Sequence, residues 1–202
     1  MERGITLKLF LIRHGDTDWN QVESRGVRGW ATSFAPLSQL GRLQIDTIAS
    51  DYRLQEASAI LCSSYARALE SAARLSRVLN KPLYVEYDLH EWLPQKDPLG
   101  VIDNGLLDRA GRDLRTEMES GVAGQHVPWE SLSEVRSRVL GVLNRYCHVD
   151  SVVVVTHAVV ISALVGLDRQ VDHAEIVEFD LDPASLSGHS AVTPGKQRLV
   201  HG

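Results

Sequence analysis

Apolar and polar positions along the chain change period several times, and each change marks an element. A continuous apolar run at 6–12 predicts a buried strand, and 13–36 follows as a long connection with no clear period. Ser38 then stands as an N-cap before Leu40, Leu43, Ile45 and Ile48, whose helical spacing predicts a helix reaching about Arg53. Residues 58–62 read as a short buried strand. Ser63 and Ser64 are expected to cap a helix over 65–79, which stops before Asn80-Lys81-Pro82. Residues 83–87 alternate as a strand, and Pro94, Pro98 and Gly100 then signal irregular backbone. The charged stretch 104–127 carries weak helical signals and several glycines, so it is expected to be an insertion packed over the sheet edge. Leu132, Val135, Val139, Leu140 and Leu143 predict a helix over 131–146. Four consecutive valines at 152–155 have the pattern of a strand buried on both faces. A helix at 158–165 and a last strand at 175–181 follow, and the Gly-, Ser- and Pro-bearing tail from Asp182 onward carries no pattern. Strands alternating with helices define an α/β chain, layered α/β/α around a mostly parallel sheet.

Composition narrows this picture. The 202 residues suit one domain, 1–202, with an irregular substrate-covering insertion at about 92–128. Apolar residues at 44% and charged residues at 23% are ordinary for a globular protein, and no apolar run is long enough to span a membrane. The start of the chain lacks the pattern of a signal peptide, so a cytoplasmic location is expected. Cys62 and Cys147 are far apart and form neither a disulfide framework nor a zinc spacing. A net charge of −5 argues against nucleic acid or a membrane surface as partner, although a local cation cluster could still take a small anionic substrate.

The candidate chemistry lies at the strand exits. In an open α/β sheet the crevice beyond the carboxyl ends of the strands is the usual ligand site. The first strand ends in Arg13-His14 and the valine strand ends in His157; if the two strands are neighbours, both imidazoles face one crevice. Arg67 falls in the first turn of the helix after Ser63-Ser64, and the exit of the strand at 83–87 puts Glu91 just beyond Tyr87. Cations, imidazoles and one carboxylate suit phosphoryl transfer, which needs neutralised phosphoryl oxygens and a protonated leaving oxygen. Each residue also has an ordinary structural reading: salt-bridge arginines, hydrogen-bonded buried histidines, a solvated carboxylate. A metal site is the rival use of such histidines, but no H-E-x-x-H, H-x-H or cysteine pair is present. Neither a G-x-S-x-G elbow nor a G-x-x-x-x-G-K loop occurs.

The stretches that carry a resemblance are Leu11-Ile12-Arg13-His14-Gly15-Asp16-Thr17 with Trp19-Asn20, and Pro36-Leu37-Ser38 through Leu40-Gly41-Arg42 and Gln44. They continue with Ser63, Arg67-Ala68, Ser71-Ala72, Glu91, Glu130-Ser131, Arg138 and Val155-Thr156-His157. In this order they resemble the histidine phosphatase superfamily, the phosphoglycerate mutase-like proteins. The resemblance implies that fold, with His14 as the nucleophile that forms a phosphohistidine. Arg13, Arg67 and a protonated His157 would hold the phosphoryl oxygens, Asn20 would add a hydrogen bond, and Glu91 would be general acid and then base. It implies no metal and no cofactor. Guanidiniums beside His14 favour the neutral imidazole needed for attack, and apolar company from Trp92 and Leu93 would raise the Glu91 pKa.

Departures bear on the substrate. Asp16 stands where glutamate is common, and Ala158 replaces a glycine while keeping a backbone N–H for the phosphate. Arg28 stands near a frequent glutamine and could meet a second anionic group. Trp-Leu-Pro follows Glu91, and Trp129 replaces a common glycine, so the substrate wall is expected to be remodelled. The chain lacks room for the full insertion of the cofactor-dependent mutases, which favours a metal-independent phosphatase for a small phosphomonoester. The alternatives are a mutase-type phosphotransferase and a low-activity regulatory protein that binds phosphorylated ligands; an oligomer is left open.

Overall fold

In the computed structural model the described residues are 6–27, 29–97, 100, 102–124, 127–166 and 170–182. Among them, strands β1 (Leu7–Arg13), β2 (Ala59–Ser63), β3 (Leu83–Glu86), β4 (Ser151–Thr156) and β5 (Ile176–Leu181) form one sheet in the order β3-β2-β4-β1-β5. The first four run parallel, and β5 pairs antiparallel with β1 at the edge. This is the layered, mostly parallel α/β architecture expected. Helices α1 (Asn20–Glu23), α2 (Gln39–Ile48), α3 (Ala66–Leu79), α4 (Asn104–Ser120), α5 (Leu132–Asn144) and α6 (Ala158–Val165) complete the described elements, with short 3-10 turns between them. None of these helices is long and apolar enough to cross a membrane.

The pleat of β4 sorts its valines between two cores. Val152 and Val154 pack with Leu9 and Leu11 beneath α5 and α6, while Val153 and Val155 join Phe10 and Ile12 beneath α2 and α3. Alternate residues thus bury both faces, which is why the run is continuously apolar. The register Arg13↔Thr156 puts the ends of β1 and β4 level, so His14 and His157 leave the sheet together.

Several expectations are corrected. Helix α2 ends at Ile48, and Asp51 caps a separate 3-10 turn, Tyr52–Glu56, by accepting from the Arg53 N–H. Leu40 and Leu43 face solvent at 57% and 58% exposure, because the inward face is chosen by Gly41 and Ile45 instead. A Cβ on Gly41 would sit 2.1 Å from the Asp16 carbonyl oxygen, so only glycine lets the helix start cross the loop after His14. Ser38 caps α2 as expected, accepting from the Gly41 N–H. Ser63 and Ser64 do not cap α3; its N-cap position is Tyr65, which has no side-chain cap, and Ser63 belongs to β2. The segment expected to be irregular contains α4, seventeen residues capped by Asp103 and closed by the left-handed Gly121. Its apolar face is narrow, with Leu106 and Ala110 meeting Trp129, and so escaped the periodicity. The tail beyond Asp182, like Arg28, lies outside the described residues.

Candidate active site

The loop after β1 is held by both helices of its face. The Gly15 N–H donates to Ser71 Oγ, the Asp16 N–H donates to Gln44 Oε1, and the Ser38 N–H donates to the Asp16 carbonyl. This backbone crossing fixes His14, which is buried at 4% exposure. Its Nδ1 lies 2.7 Å from the Gly15 carbonyl oxygen. A carbonyl only accepts, so Nδ1 carries the proton and Nε2 keeps its lone pair. Arg67 Nε donates to that Nε2 at 3.1 Å. Burial first, then the positive charges of Arg67 and Arg13, hold the His14 pKa down to about 3. The nucleophile expected from sequence is therefore neutral at any ordinary pH.

His157 is fully buried, and its ring centroid lies 5.0 Å from that of His14. Its Nε2 meets Ser63 Oγ at 2.9 Å, and Ser63 Oγ already accepts from the Tyr65 N–H. The Ser63 hydroxyl proton is thus free to go to Nε2, which leaves the His157 proton on Nδ1. Burial, with His14 and Arg67 adding like charge, drives the His157 pKa well below its ordinary value. Where the resemblance implied a protonated His157, burial here favours the neutral ring, with the direction of its Nδ1–H set by Ser63.

The two arginines arrive from opposite sides. Arg13 Nη1 is anchored on the Val171 carbonyl at 2.6 Å, and the Arg67 guanidinium lies between the Trp19 and Tyr65 rings, 5.3 and 5.1 Å from their centroids. Arg13 Nε, Arg67 Nη1 and His157 Nδ1 are buried and have no hydrogen-bond partner. Orphaned buried donors are costly, and three of them beside His14 suit a tetrahedral anion such as phosphate.

Glu91 follows the 3-10 turn Tyr87–Leu89 after β3 and lines a cavity next to Arg67. Desolvation raises its pKa, against the Trp92 N–H that donates to Oε1 at 2.8 Å and against Arg67, Arg13 and Arg138. Its segment is braced by a buried pair: Arg138 Nε donates to Glu130 Oε1 at 2.9 Å and Arg138 Nη1 to the Asp88 carbonyl at 2.6 Å, while the Leu93 N–H donates to Glu130 Oε2.

The structure thus brings together His14, His157, Arg13, Arg67 and Glu91. Asn20 begins α1 as an exposed residue, with no side-chain hydrogen bond among the described residues; its neighbour Trp19 is the one that reaches Arg67. Ala158 opens α6, where first-turn amides lack helical partners. Arg28 lies outside the described residues.

Sequence reasoning missed His173, whose ring lies 5.6 Å from that of His14 with Nδ1 4.0 Å from Asp16 Oδ1. Its turn places Ala174 in the left-handed region at φ 58°, and the Ala174 N–H donates to the Arg13 carbonyl. A third histidine just ahead of the last strand was its only signal.

Fold and site together define an α/β protein with paired histidines at neighbouring parallel strand ends and two guanidiniums beside them. The profile of the histidine phosphatase superfamily (branch 1) matches residues 9–201, and the chain belongs to that family. It is 29% identical to Phosphoserine phosphatase 1 of Hydrogenobacter thermophilus over 189 residues, covering 90% of this chain and 85% of that one. It is 27% identical to the Yersinia pestis protein named "Probable phosphoglycerate mutase GpmB" over 142 residues, 68% of this chain and 62% of that one. The native structure of a mycobacterial glucosyl-3-phosphoglycerate phosphatase superposes with a TM-score of 0.63 at 20% identity, over 85% of this chain and 88% of that one, a likeness of fold.

Proposed function

We propose that this chain is a metal-independent phosphatase that hydrolyses a small phosphomonoester through a phosphohistidine on His14. The observation that carries the reading is the set of three unpartnered buried donors, Arg13 Nε, Arg67 Nη1 and His157 Nδ1, beside a deprotonated His14 Nε2. Phosphoryl oxygens would take up those donors, and the arginines would supply the charge neutralisation. His14 Nε2 attacks phosphorus, the P–O ester bond breaks, and the Glu91 proton passes to the leaving oxygen. The Nδ1–H bond to the Gly15 carbonyl stabilises the positive charge that the ring acquires. The resulting Glu91 carboxylate then takes a proton from water as that water attacks phosphorus; the N–P bond breaks, phosphate leaves and Glu91 is protonated again.

Likeness to a relative named as a phosphoglycerate mutase supports a second reading, in which the phosphoryl group returns to a bound phosphoglycerate rather than to water. One experiment separates the possibilities. Release of inorganic phosphate from p-nitrophenyl phosphate, with and without EDTA, is measured for the wild type and His14→Ala, together with interconversion of 2- and 3-phosphoglycerate. The wild type is expected to release phosphate in EDTA and to form an acid-labile phosphoprotein that His14→Ala lacks. Equal release by both proteins removes the phosphatase reading, loss in EDTA removes the metal-free route, and isomerisation without release favours the mutase.

A further inference from the structure

Beyond the phosphate position the site opens into a cavity of about 120 Å³ between the 3-10 turn Gly29–Phe34 and the segment after Glu91. Trp30, Tyr65, Trp92, Pro94 and Ile102 give it aromatic and aliphatic walls, with Thr32 and Gln95 as neutral polar groups. Among the described lining residues the charged ones are Arg67 and Glu91, and both are engaged in the transfer itself. A second cavity of about 430 Å³ shares the walls Gly29, Thr32 and Ile102 and adds Val27 and Leu107; its charged residue among those described is Glu23. The leaving group therefore has room larger than a three-carbon acid, and among the described lining residues the one charged group that it meets besides Arg67 and Glu91 is Glu23.

A second anionic group on the alcohol would shed water beside Glu23 and the Glu91 carboxyl, where no described lining residue other than Arg67 offers it a cation, which is unfavourable. A flat uncharged surface gains instead from the aromatic walls. The Trp30 indole N–H is buried and has no partner, so it offers one donor to a neutral acceptor such as a hydroxyl, carbonyl or ring nitrogen. We propose that the substrate is the phosphomonoester of an uncharged alcohol with an apolar or aromatic face, larger than a three-carbon acid, seated between Trp30, Tyr65 and Trp92. This rests on the phosphatase reading above and sets phosphoserine and the phosphoglycerates outside the preferred class.

The test compares primary alkyl esters, so that the leaving oxygens are chemically alike. Values of kcat/KM are measured for 3-phenylpropyl phosphate and a nucleoside 5′-monophosphate against phosphoserine and 3-phosphoglycerate, with p-nitrophenyl phosphate as the general reporter. The uncharged alcohols are expected to be preferred by about 100-fold or more, the scale on which a site rejects a group that it leaves unpaired. Ile102→Trp, which adds bulk to a wall that both cavities share, is expected to lower kcat/KM for the preferred ester about tenfold relative to p-nitrophenyl phosphate. Equal or better turnover of the carboxylated esters overturns the proposal, and so does an unchanged ratio in Ile102→Trp. If Arg28→Gln abolishes a preference for carboxylated esters, Arg28 supplies the missing cation and the proposal is again overturned. Absence of p-nitrophenyl phosphate turnover above His14→Ala instead removes the phosphatase reading, and this inference with it.

Discussion

Protonation of His14 should make folding stability fall steeply in mild acid. In the unfolded chain the imidazole titrates near its ordinary value of 6.5, whereas burial and the Arg67 and Arg13 guanidiniums hold it to about 3 in the folded protein. The folded pKa is the lower one, so the unfolded state binds the proton first and stability drops as pH falls. The contribution is complete above pH 6.5, is lost progressively below it and is gone by about pH 3. At about 1.4 kcal/mol per pH unit, the whole interval is worth about 5 kcal/mol, of which about 2 kcal/mol is lost by pH 5. A typical domain has about 5–15 kcal/mol in all, so the effect is large. The perturbation is His14→Gln, which keeps a polar side chain but cannot titrate. Urea unfolding is followed from pH 7 to pH 4 for both proteins, and the difference between their stabilities isolates His14 from the other buried imidazoles. The wild type is expected to lose about 2 kcal/mol more than the variant between pH 6.5 and pH 5. Parallel stability curves, or a native His14 resonance that titrates near pH 6.5, would refute the reasoning. Inorganic phosphate should counteract the loss, because a bound anion raises the His14 pKa toward its unfolded value.

Glu91→Gln should lower kcat by about 10²–10⁴ on alkyl phosphates and much less on p-nitrophenyl phosphate, whose leaving group needs little protonation. With alkyl esters the wild-type rate should fall as pH rises through the raised Glu91 pKa, and equal losses on both ester types would contradict its role as acid. Ser63→Ala removes the hydroxyl that directs the His157 proton to Nδ1; kcat/KM should fall about tenfold, Ser63→Thr should restore it, and 15N shifts of His157 should report the changed tautomer. Arg138→Ala leaves Glu130 charged and buried, so urea unfolding should show a loss of about 3–5 kcal/mol, and pairing it with Glu130→Gln should recover part of that loss.

What the chain discloses before folding depends on how local the signal is. Arg13-His14 and His157 are legible because each closes an apolar run, and β-α alternation implies parallel strands, but that β1 and β4 are neighbours is seen only in the structure. Glu91 was also legible as a strand exit, although β3 stops at Glu86 and a 3-10 turn carries the chain onward. The inward face of α2 was not, since Leu40 and Leu43 outrank Gly41 in hydrophobicity while the deciding force is a backbone crossing. Helix α4 was hidden for another reason: its burial depends on Trp129, far outside its own window. The neutral His157 tautomer depends on Ser63, and the placement of His173 on a turn tied to Arg13; neither has a local sequence signature.

The departures around Glu91 acquire a common cause in this packing. Trp129, where the family commonly has glycine, joins Leu106 and Ala110 in a small core against which Trp92 and Ile102 pack. Trp92 Nε1 donates to the Glu130 carbonyl at 2.6 Å, and the Leu93 N–H donates to the Glu130 carboxylate that Arg138 holds. The Trp-Leu-Pro run after Glu91 is therefore bound to α4 and to the start of α5, whereas His14 and His157 are fixed by β1 and β4, and Arg67 by α3. Changes in the wall reshape the alcohol cavity through Trp92 and Ile102 without moving the His14 Nε2 or the three donors around it. Glu91 is the residue common to both parts, since its backbone belongs to the wall and its carboxyl faces the phosphoryl cradle. Variation of the alcohol at constant chemistry should then favour substitutions that leave the Glu130–Arg138 brace intact, because that pair helps tie the position of the acid to the shape of the wall.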